Sequence, residues 1–409
     1  MGRWREGGGW AIVGVRFAHP TGSSDGETMG DVGSGQRGLV LVNGPAGSVQ
    51  GPRARALFGG SARVVYKERG RVGSAQPFWA ALRAQHEGWV YCIDLGIPAA
   101  LLAAVRRKVC PRVSLVYEIG DPARPLLAHQ GRPRWEVALA HALDCRLPRM
   151  ADRLVFRGSY LADYFAALRP DVGLLPWLWL PDGADLDMFA PRRDDPGVLA
   201  LRRRHGLEQA FVVGLVGSIH HNPVHNLFYG WELAEALAAL PARHGGRPVV
   251  GVVVGDGPGR PALEATRDRL GLGDRLRLIG RVPHDEVPRW MNVFDVGLST
   301  QTDDPVGWGR TTAKLPEYLG CGVVVVATDV GEAHRWLRDS GQTLPYRGMR
   351  DESYPERLAA RLVELSAQDL DPLRAHNRAL AERLFDYRLL RRRVAAFLAG
   401  EPVDAAVPG

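Results

Sequence analysis

Short apolar runs alternate with segments of helical period along most of this chain, and the alternation occurs in two successive series. In the first, strands are expected at Gly38–Val42, Ala62–Tyr66, Trp89–Ile93, Ser114–Tyr117, Arg153–Phe156 and Leu174–Leu180. Helices are expected between them at Arg53–Phe58, Phe78–Gln85, Ile97–Lys108, Glu136–Leu143 and Tyr160–Leu168. The second series places strands at Phe211–Val216, Val249–Val254, Leu276–Ile279, Val296–Ser299 and Val323–Ala327. Its helices are expected at Leu227–Leu240, Pro261–Leu270, Asp285–Met291, Ala313–Leu319 and Glu332–Arg338. Strands that are apolar throughout and separated by helices predict parallel sheets covered on both faces. The expected fold is therefore α/β, with two doubly wound, Rossmann-like domains.

The polar connector Pro191–Pro196 divides an N-terminal domain over residues 38–190 from a C-terminal one over 191–385. Residues 1–37, rich in glycine and serine, read as a flexible extension, with Met29 an alternative start. Residues 386–409 carry a basic helix, Leu389–Leu398, expected to pack back on the body of the protein. Ligands of such sheets bind beyond the carboxyl ends of the strands, so two facing sheets predict a cleft near residue 190.

Composition narrows the function classes. With 45% hydrophobic and 24% charged residues among 409, the chain has the balance of a water-soluble globular protein. No apolar stretch approaches the ~18–20 residues of a spanning helix, and the first residues lack a secretory signal pattern. Four cysteines, Cys92, Cys110, Cys145 and Cys321, are too scattered for a disulfide framework or zinc knuckle. A reduced, cytoplasmic protein is expected.

The net charge of +7 is unevenly spread: residues 1–190 hold 23 basic against 17 acidic side chains, and the remainder 29 against 28. Arg106, Arg107 and Lys108, with Arg112, follow the apolar run Ile97–Val105. Such a cluster fits either an anionic membrane surface on the inner face of a membrane or a solvated helix end. Nucleic acid is not expected as a partner, since no finger, RNA-binding or basic-zipper pattern accompanies the charge.

The segment from Thr311 to Gly322, reading Thr-Thr-Ala-Lys-Leu-Pro-Glu-Tyr-Leu-Gly-Cys-Gly, is the richest in chemistry. Thr311 or Thr312 suits a helix N-cap, and Pro316 an early helical turn. Free amides at a helix N-terminus bind phosphate, and Lys314 adds an ammonium there. Glu317 falls on the same face three residues later, where a carboxylate can accept from a ribose diol. A surface ion pair between Lys314 and Glu317 fits the same spacing.

Three further segments share the pattern: Val254-Gly255-Asp256-Gly257-Pro258, Leu278-Ile279-Gly280-Arg281-Val282-Pro283 with Asp295 beyond it, and Leu180-Pro181-Asp182-Gly183-Ala184-Asp185-Leu186-Asp187-Met188-Phe189. Together, running along the chain in the family's order across about residues 39–395, the four resemble the retaining glycosyltransferases of family 4. The resemblance implies the GT-B architecture, with the sugar-nucleotide donor on the second domain and the acceptor on the first. It implies transfer of a hexose-type sugar from a nucleoside diphosphate sugar to a hydroxyl of a lipid-linked or small-molecule acceptor. Cell-surface polysaccharide or glycolipid synthesis is the role expected first, natural-product glycosylation second. An epimerase and a non-catalytic sugar-nucleotide-binding protein are further alternatives. No metal or other cofactor is expected, with fixed donors stabilising the departing diphosphate.

Carried over by position, Glu317 binds the ribose, Lys314 with Thr311, Thr312 and Ala313 holds the diphosphate, and Val282 meets the base. Arg310 lies in the stretch that contacts the sugar, and Gly217 and Ser218 form the donor-side turn. The chain departs from the pattern in three places. Gly309 stands where a glutamate is common, the turn 217–223 carries neither an arginine nor a lysine, and Gly120 aligns with an acceptor-side histidine. His220, His221 and His225 read as polar contacts of that turn rather than metal ligands. Asp121, Glu118 and Asp94 follow first-domain strands and are the candidates for a catalytic contact with the acceptor hydroxyl. Caps of the following helices are an equal reading for the first two.

Overall fold

The computed structural model describes residues 38–47, 50–67, 75–93, 97–129, 131–168, 175–222 and 225–403. The expectations for residues 1–37 and for Asp94 fall outside them. The contacts divide the chain into two units. One comprises Asp182–Trp308 with Thr312–Tyr387; the other holds the described residues up to Pro181, Gly309–Thr311 and those from Arg388 on.

The unit that holds the N-terminal part alternates β1 (Gly38–Val42), α1 (Gln50–Phe58), β2 (Arg63–Tyr66), α2 (Ala75–Ala84), β3 (Gly88–Ile93), α3 (Ile97–Val109) and β4 (Val113–Ile119). It continues through α4 (Ala123–His129), α5 (Arg134–Arg146), β5 (Arg153–Phe156), α6 (Ser159–Leu168) and β6 (Trp177–Trp179). The strands form one parallel sheet in the order β2-β1-β3-β4-β5-β6. Leu39, Val40, Leu41 and Val42 are all buried, as strands sandwiched between helices must be. Phe78, Leu82, Leu161 and Phe165 supply the helix side of this core. Helix α4 was not expected. Pro122 and the apolar pair Leu126–Leu127 give it only seven residues, too short for a periodic signal.

An ion pair fastens three elements here. Arg53 of α1 donates from Nε to Glu118 of β4 at 2.9 Å, and from Nη1 and Nη2 to the carbonyls of Pro181 and Leu180 after β6. Tyr91 of β3 adds its hydroxyl to the same carboxylate at 2.6 Å.

The other unit contains α7 (Pro196–Arg204), β7 (Phe211–Val216), β8 (His221–Asn222), β9 (Leu227–Phe228), α8 (Trp231–Ala239), β10 (Arg243–His244), β11 (Arg247–Val254), α9 (Arg260–Arg269) and β12 (Leu276–Gly280). It continues with α10 (Val287–Val293), β13 (Val296–Ser299), α11 (Pro305–Gly309), α12 (Lys314–Gly320), β14 (Val324–Thr328), α13 (Gly331–Leu337), β15 (Thr343–Leu344), α14 (Tyr354–Ser366) and α15 (Asp371–Leu384). Its main strands run parallel in the order β12-β11-β7-β13-β14-β15, with β10 a short antiparallel addition to β11. The chain reverses direction of winding between β7 and β13, the point at which doubly wound sheets hold nucleotides.

Two expectations are corrected in this unit. The helix expected over Leu227–Leu240 begins only at Trp231, because Leu227 and Phe228 pair as β9 with β8. Asn226, at φ 49°, turns that ribbon, and Gly230, at φ 98°, starts the helix. A helix not expected from the sequence follows the polar connector: α7 starts at Pro196, with Asp195 accepting from the amide of Gly197 at 2.8 Å. The last helix, α16 (Tyr387–Ala399), reaches the N-terminal sheet and helices through its basic side chains. Arg391 donates to Ala56 O at 2.8 Å, and Arg393 lies over the Trp179 ring.

Candidate functional site

The carboxyl ends of β7, β11 and β12 meet through glycines. Gly217 follows β7 at φ 134° and donates to Val254 O; Gly255 follows β11 at φ 142° and donates to Gly280 O. A Cβ on Gly255 would collide with the carbonyl of Gly217, so only glycine closes this approach. Asp256 then holds the turn: its carbonyl accepts from Ile219 N, and its carboxylate from Gly257 N at 2.8 Å. Ser218 Oγ is buried there without a hydrogen-bond partner among the described residues. The glycines of the Gly-Asp-Gly-Pro segment thus serve close backbone packing at the end of the sheet.

Helix α12 brings Lys314 and Glu317 to this edge. Tyr318, buried on its inner face, accepts a hydrogen bond from Val216 N at 2.9 Å and so pins the helix to the end of β7. Its N-cap is Ala313, with no side-chain cap; Thr312 contributes its carbonyl, which accepts from Leu315 N. The expectation that Thr311 or Thr312 caps the helix by its hydroxyl is therefore corrected. Thr311, Thr312 and Ala313 are half-buried at the helix entrance, and Val282 is half-buried in the loop after β12.

Lys314 Nζ donates to the hydroxyl of Tyr229 and lies 3.8 Å from the centre of its ring. Burial pushes the Lys314 ammonium down to about 7, against the favourable charge of Glu317. Burial also pushes the Glu317 carboxyl up to about 8, with Lys314 opposing and Asp182 adding to the shift. A surface ion pair has neither shift: both groups sit in a largely enclosed place. The sequence pattern did not single out Tyr229, since it lies at the end of a ribbon read as helix.

The buried Glu232, at the start of α8, belongs to no motif of the sequence. It faces the Thr300 hydroxyl and Arg350, and burial pushes it up to about 7. The three histidines of the turn do not form a metal set: no group of three metal-ligating side chains occurs among the described residues.

The first-domain candidates separate. Glu118 is 0% exposed and is occupied by Arg53, Tyr91 and, at 3.6 Å, Arg157. It is a frame residue, closed to an acceptor, which corrects its candidacy for contact with the acceptor hydroxyl. Asp121 is half-buried in the loop after β4 and accepts from Arg310 Nε at 3.1 Å. Arg310, expected at the donor, is thereby tied to an acceptor-side candidate. The reading of Asp121 as a cap is corrected too, because the amides of Ala123 and Arg124 at the start of α4 are taken by Asp144, at 3.3 and 2.8 Å. Gly120 leaves the space that the Arg157 guanidinium fills.

Residues 210–368 match the family described as glycosyl transferases group 1. A 2-deoxystreptamine glucosyltransferase of Streptomyces kanamyceticus is 35% identical over 62% of this chain and 61% of its own length. A D-inositol 3-phosphate glycosyltransferase of Segniliparus rotundus is 26% identical over 71% of this chain and 58% of its own length. The match thus spans about three fifths of either relative. Among solved structures, HepE of Anabaena in complex with UDP superposes with a TM-score of 0.67 at 18% identity, over 89% of this chain and 99% of that one. Sucrose-phosphate synthase of Thermosynechococcus elongatus gives 0.67 at 14% identity, over 89% and 98%. These likenesses show the fold. The chain has the two-domain α/β fold of the GT-B glycosyltransferases, and residues 210–368 of it match the glycosyl transferases group 1 model.

Proposed function

We propose that the protein transfers a hexose-type sugar, with retention and without a required metal, from a nucleoside diphosphate sugar to a hydroxyl of a small polyhydroxylated acceptor. The observation that carries the donor half is the placement of Lys314 and Glu317 at the switch point between β7 and β13, inside the region matching a glycosyltransferase domain. On this reading Glu317 accepts from the ribose hydroxyls while Lys314 faces the diphosphate. The aminocyclitol and inositol acceptors named for the two relatives support a cyclic polyol as acceptor class.

A panel of UDP-, GDP- and dTDP-sugars with 2-deoxystreptamine and inositol phosphate, reading released nucleotide and the anomeric configuration of the product by NMR, tests this. An inverted product, or dependence on an added divalent ion after chelation, overturns the corresponding part. Glu317→Ala should raise the nucleotide Kd by roughly 2–10-fold, since a neutral hydrogen bond is worth ~0.5–1.5 kcal/mol and burial keeps this carboxyl protonated near neutral pH. Unchanged affinity would place the ribose elsewhere.

A lipid-linked acceptor is the second reading. It is favoured by an exposed apolar stripe on α3: Leu101, Val105 and Val109 are 41%, 48% and 72% exposed.

A further inference from the structure

The sequence from Gly217 to Gly230 contains no arginine or lysine, yet an ammonium reaches this turn from α12. A Cβ built on Gly217 would lie 3.9 Å from Lys314 Nζ and 3.8 Å from Tyr229 Cε1, so both side chains border the same glycine. We propose that Tyr229 is a positioning residue, whose hydroxyl and ring hold the Lys314 ammonium against the Gly217 turn, where the phosphates of a nucleoside diphosphate bind. The inference rests on the donor reading above and adds to it the residue that aims its cation.

Tyr229 is built to hold rather than to drift. Its amide donates to His220 O at 3.0 Å, and the two residues before it are paired as β9 with β8. On the other side of Gly230, the Arg350 guanidinium stacks 3.9 Å from the Trp231 ring and donates to Asn226 O, fixing the far side of the ribbon. A lysine stem has four rotatable bonds and no fixed geometry of its own. Over a π face and beside a hydroxyl acceptor, its ammonium is both localised and favoured over the neutral amine.

Among the described residues, the titratable and charged groups facing Lys314 include Tyr229 from the ribbon and Glu317 from its own helix, with Asp182 acting on Glu317. His220 lies in the same turn and holds Tyr229 by its backbone. Burial already pulls Lys314 down to about 7, so removing one of the groups that stabilise its charge moves its titration further down.

The test is UDP binding by calorimetry to the full chain, from pH 6 to pH 8, for the wild type, Tyr229→Phe and Lys314→Ala. Phenylalanine keeps the ring and the enclosure but removes the hydroxyl acceptor. If the lysine titration falls by about one unit, Tyr229→Phe binds UDP about twofold more weakly at pH 6 and about ninefold more weakly at pH 8. The ionisation of UDP and of the histidines is common to both proteins, so the ratio between them isolates the lysine. A melting temperature within a few degrees of wild type shows that the variant is folded. If Lys314→Ala weakens binding while Tyr229→Phe does not, or does so equally at both pH values, Tyr229 does not position the ammonium and the donor reading stands. If Lys314→Ala leaves UDP affinity unchanged, the donor reading fails and this inference fails with it.

Discussion

Glu232 shows how a side chain far from any recognisable motif can set the behaviour of a folded protein. It lies at the start of α8 with its carboxyl enclosed, Oε2 unpartnered among the described residues, and a titration pushed up to about 7 by burial. In the unfolded chain it loses its proton near its ordinary value of 4.5. Between these values the unfolded state sheds a proton that the folded state keeps, so this residue's contribution to stability is present below 4.5 and is lost as pH rises through about 7. A gap of that size corresponds to roughly 3 kcal/mol. Glu232→Gln should therefore raise stability at pH 8 by ~2–3 kcal/mol and change it little at pH 4.5. Urea midpoints at the two pH values measure this; a variant that is destabilised equally at both would show the carboxylate to be a needed acceptor instead.

At the scale of elements, the Arg53–Glu118 pair is the clearest case of a residue whose sequence position suggests chemistry and whose environment assigns it to structure. It connects α1, β4 and the chain leaving β6, and the carboxylate also receives the Tyr91 hydroxyl. Truncating one partner of a buried pair strands the other, at a cost of about 3–5 kcal/mol. Glu118→Ala should lower the unfolding free energy by that amount, and turnover measured well below the new melting temperature should persist. Loss of turnover in the folded variant would restore Glu118 to the reaction. What made Glu118 ambiguous also explains what was legible elsewhere. Strands β1, β5, β7 and β13 stand where the apolar runs placed them, because burial on both faces leaves a signal in every residue. Helices α14 and α15 went unread after the last expected strand, although both bury a leucine-rich face. The ribbon of β8 and β9 escaped because two-residue strands have no period, and Tyr229 escaped with it. Lys314 and Glu317 were legible through their spacing on one helix face; their enclosure depends on a turn more than 80 residues earlier, which spacing cannot show.

For the molecule as a whole, the two proposed readings differ in whether the acceptor is free in solution or presented by a membrane. No helix among the described residues is long and apolar enough to cross a bilayer, and the membrane reading rests on the surface of α3. The basic cluster expected to mediate it is partly committed elsewhere. Arg106 donates to Gln85 O at 2.9 and 2.6 Å, and Arg107 makes two bonds to Asp152 at 2.9 and 3.0 Å. Lys108 and Arg112 are exposed beside the stripe of Leu101, Val105 and Val109. Those three positions are four residues apart and share one helix face. At ~1 kcal/mol per basic residue near an anionic surface, two cations alone hold a protein of this size weakly, so insertion of the stripe has to supply most of the affinity. Co-sedimentation with phosphatidylserine–phosphatidylcholine vesicles distinguishes the contributions. If the membrane reading holds, the protein pellets with vesicles, Leu101→Ser/Val105→Ser/Val109→Ser abolishes pelleting, and Lys108→Glu weakens it only at low salt. If the wild type stays in the supernatant at low salt and 30% phosphatidylserine, the stripe has no membrane role. On the proposed reading of a free polyol acceptor, glycosyl transfer to 2-deoxystreptamine or inositol phosphate should proceed at the same rate with or without vesicles.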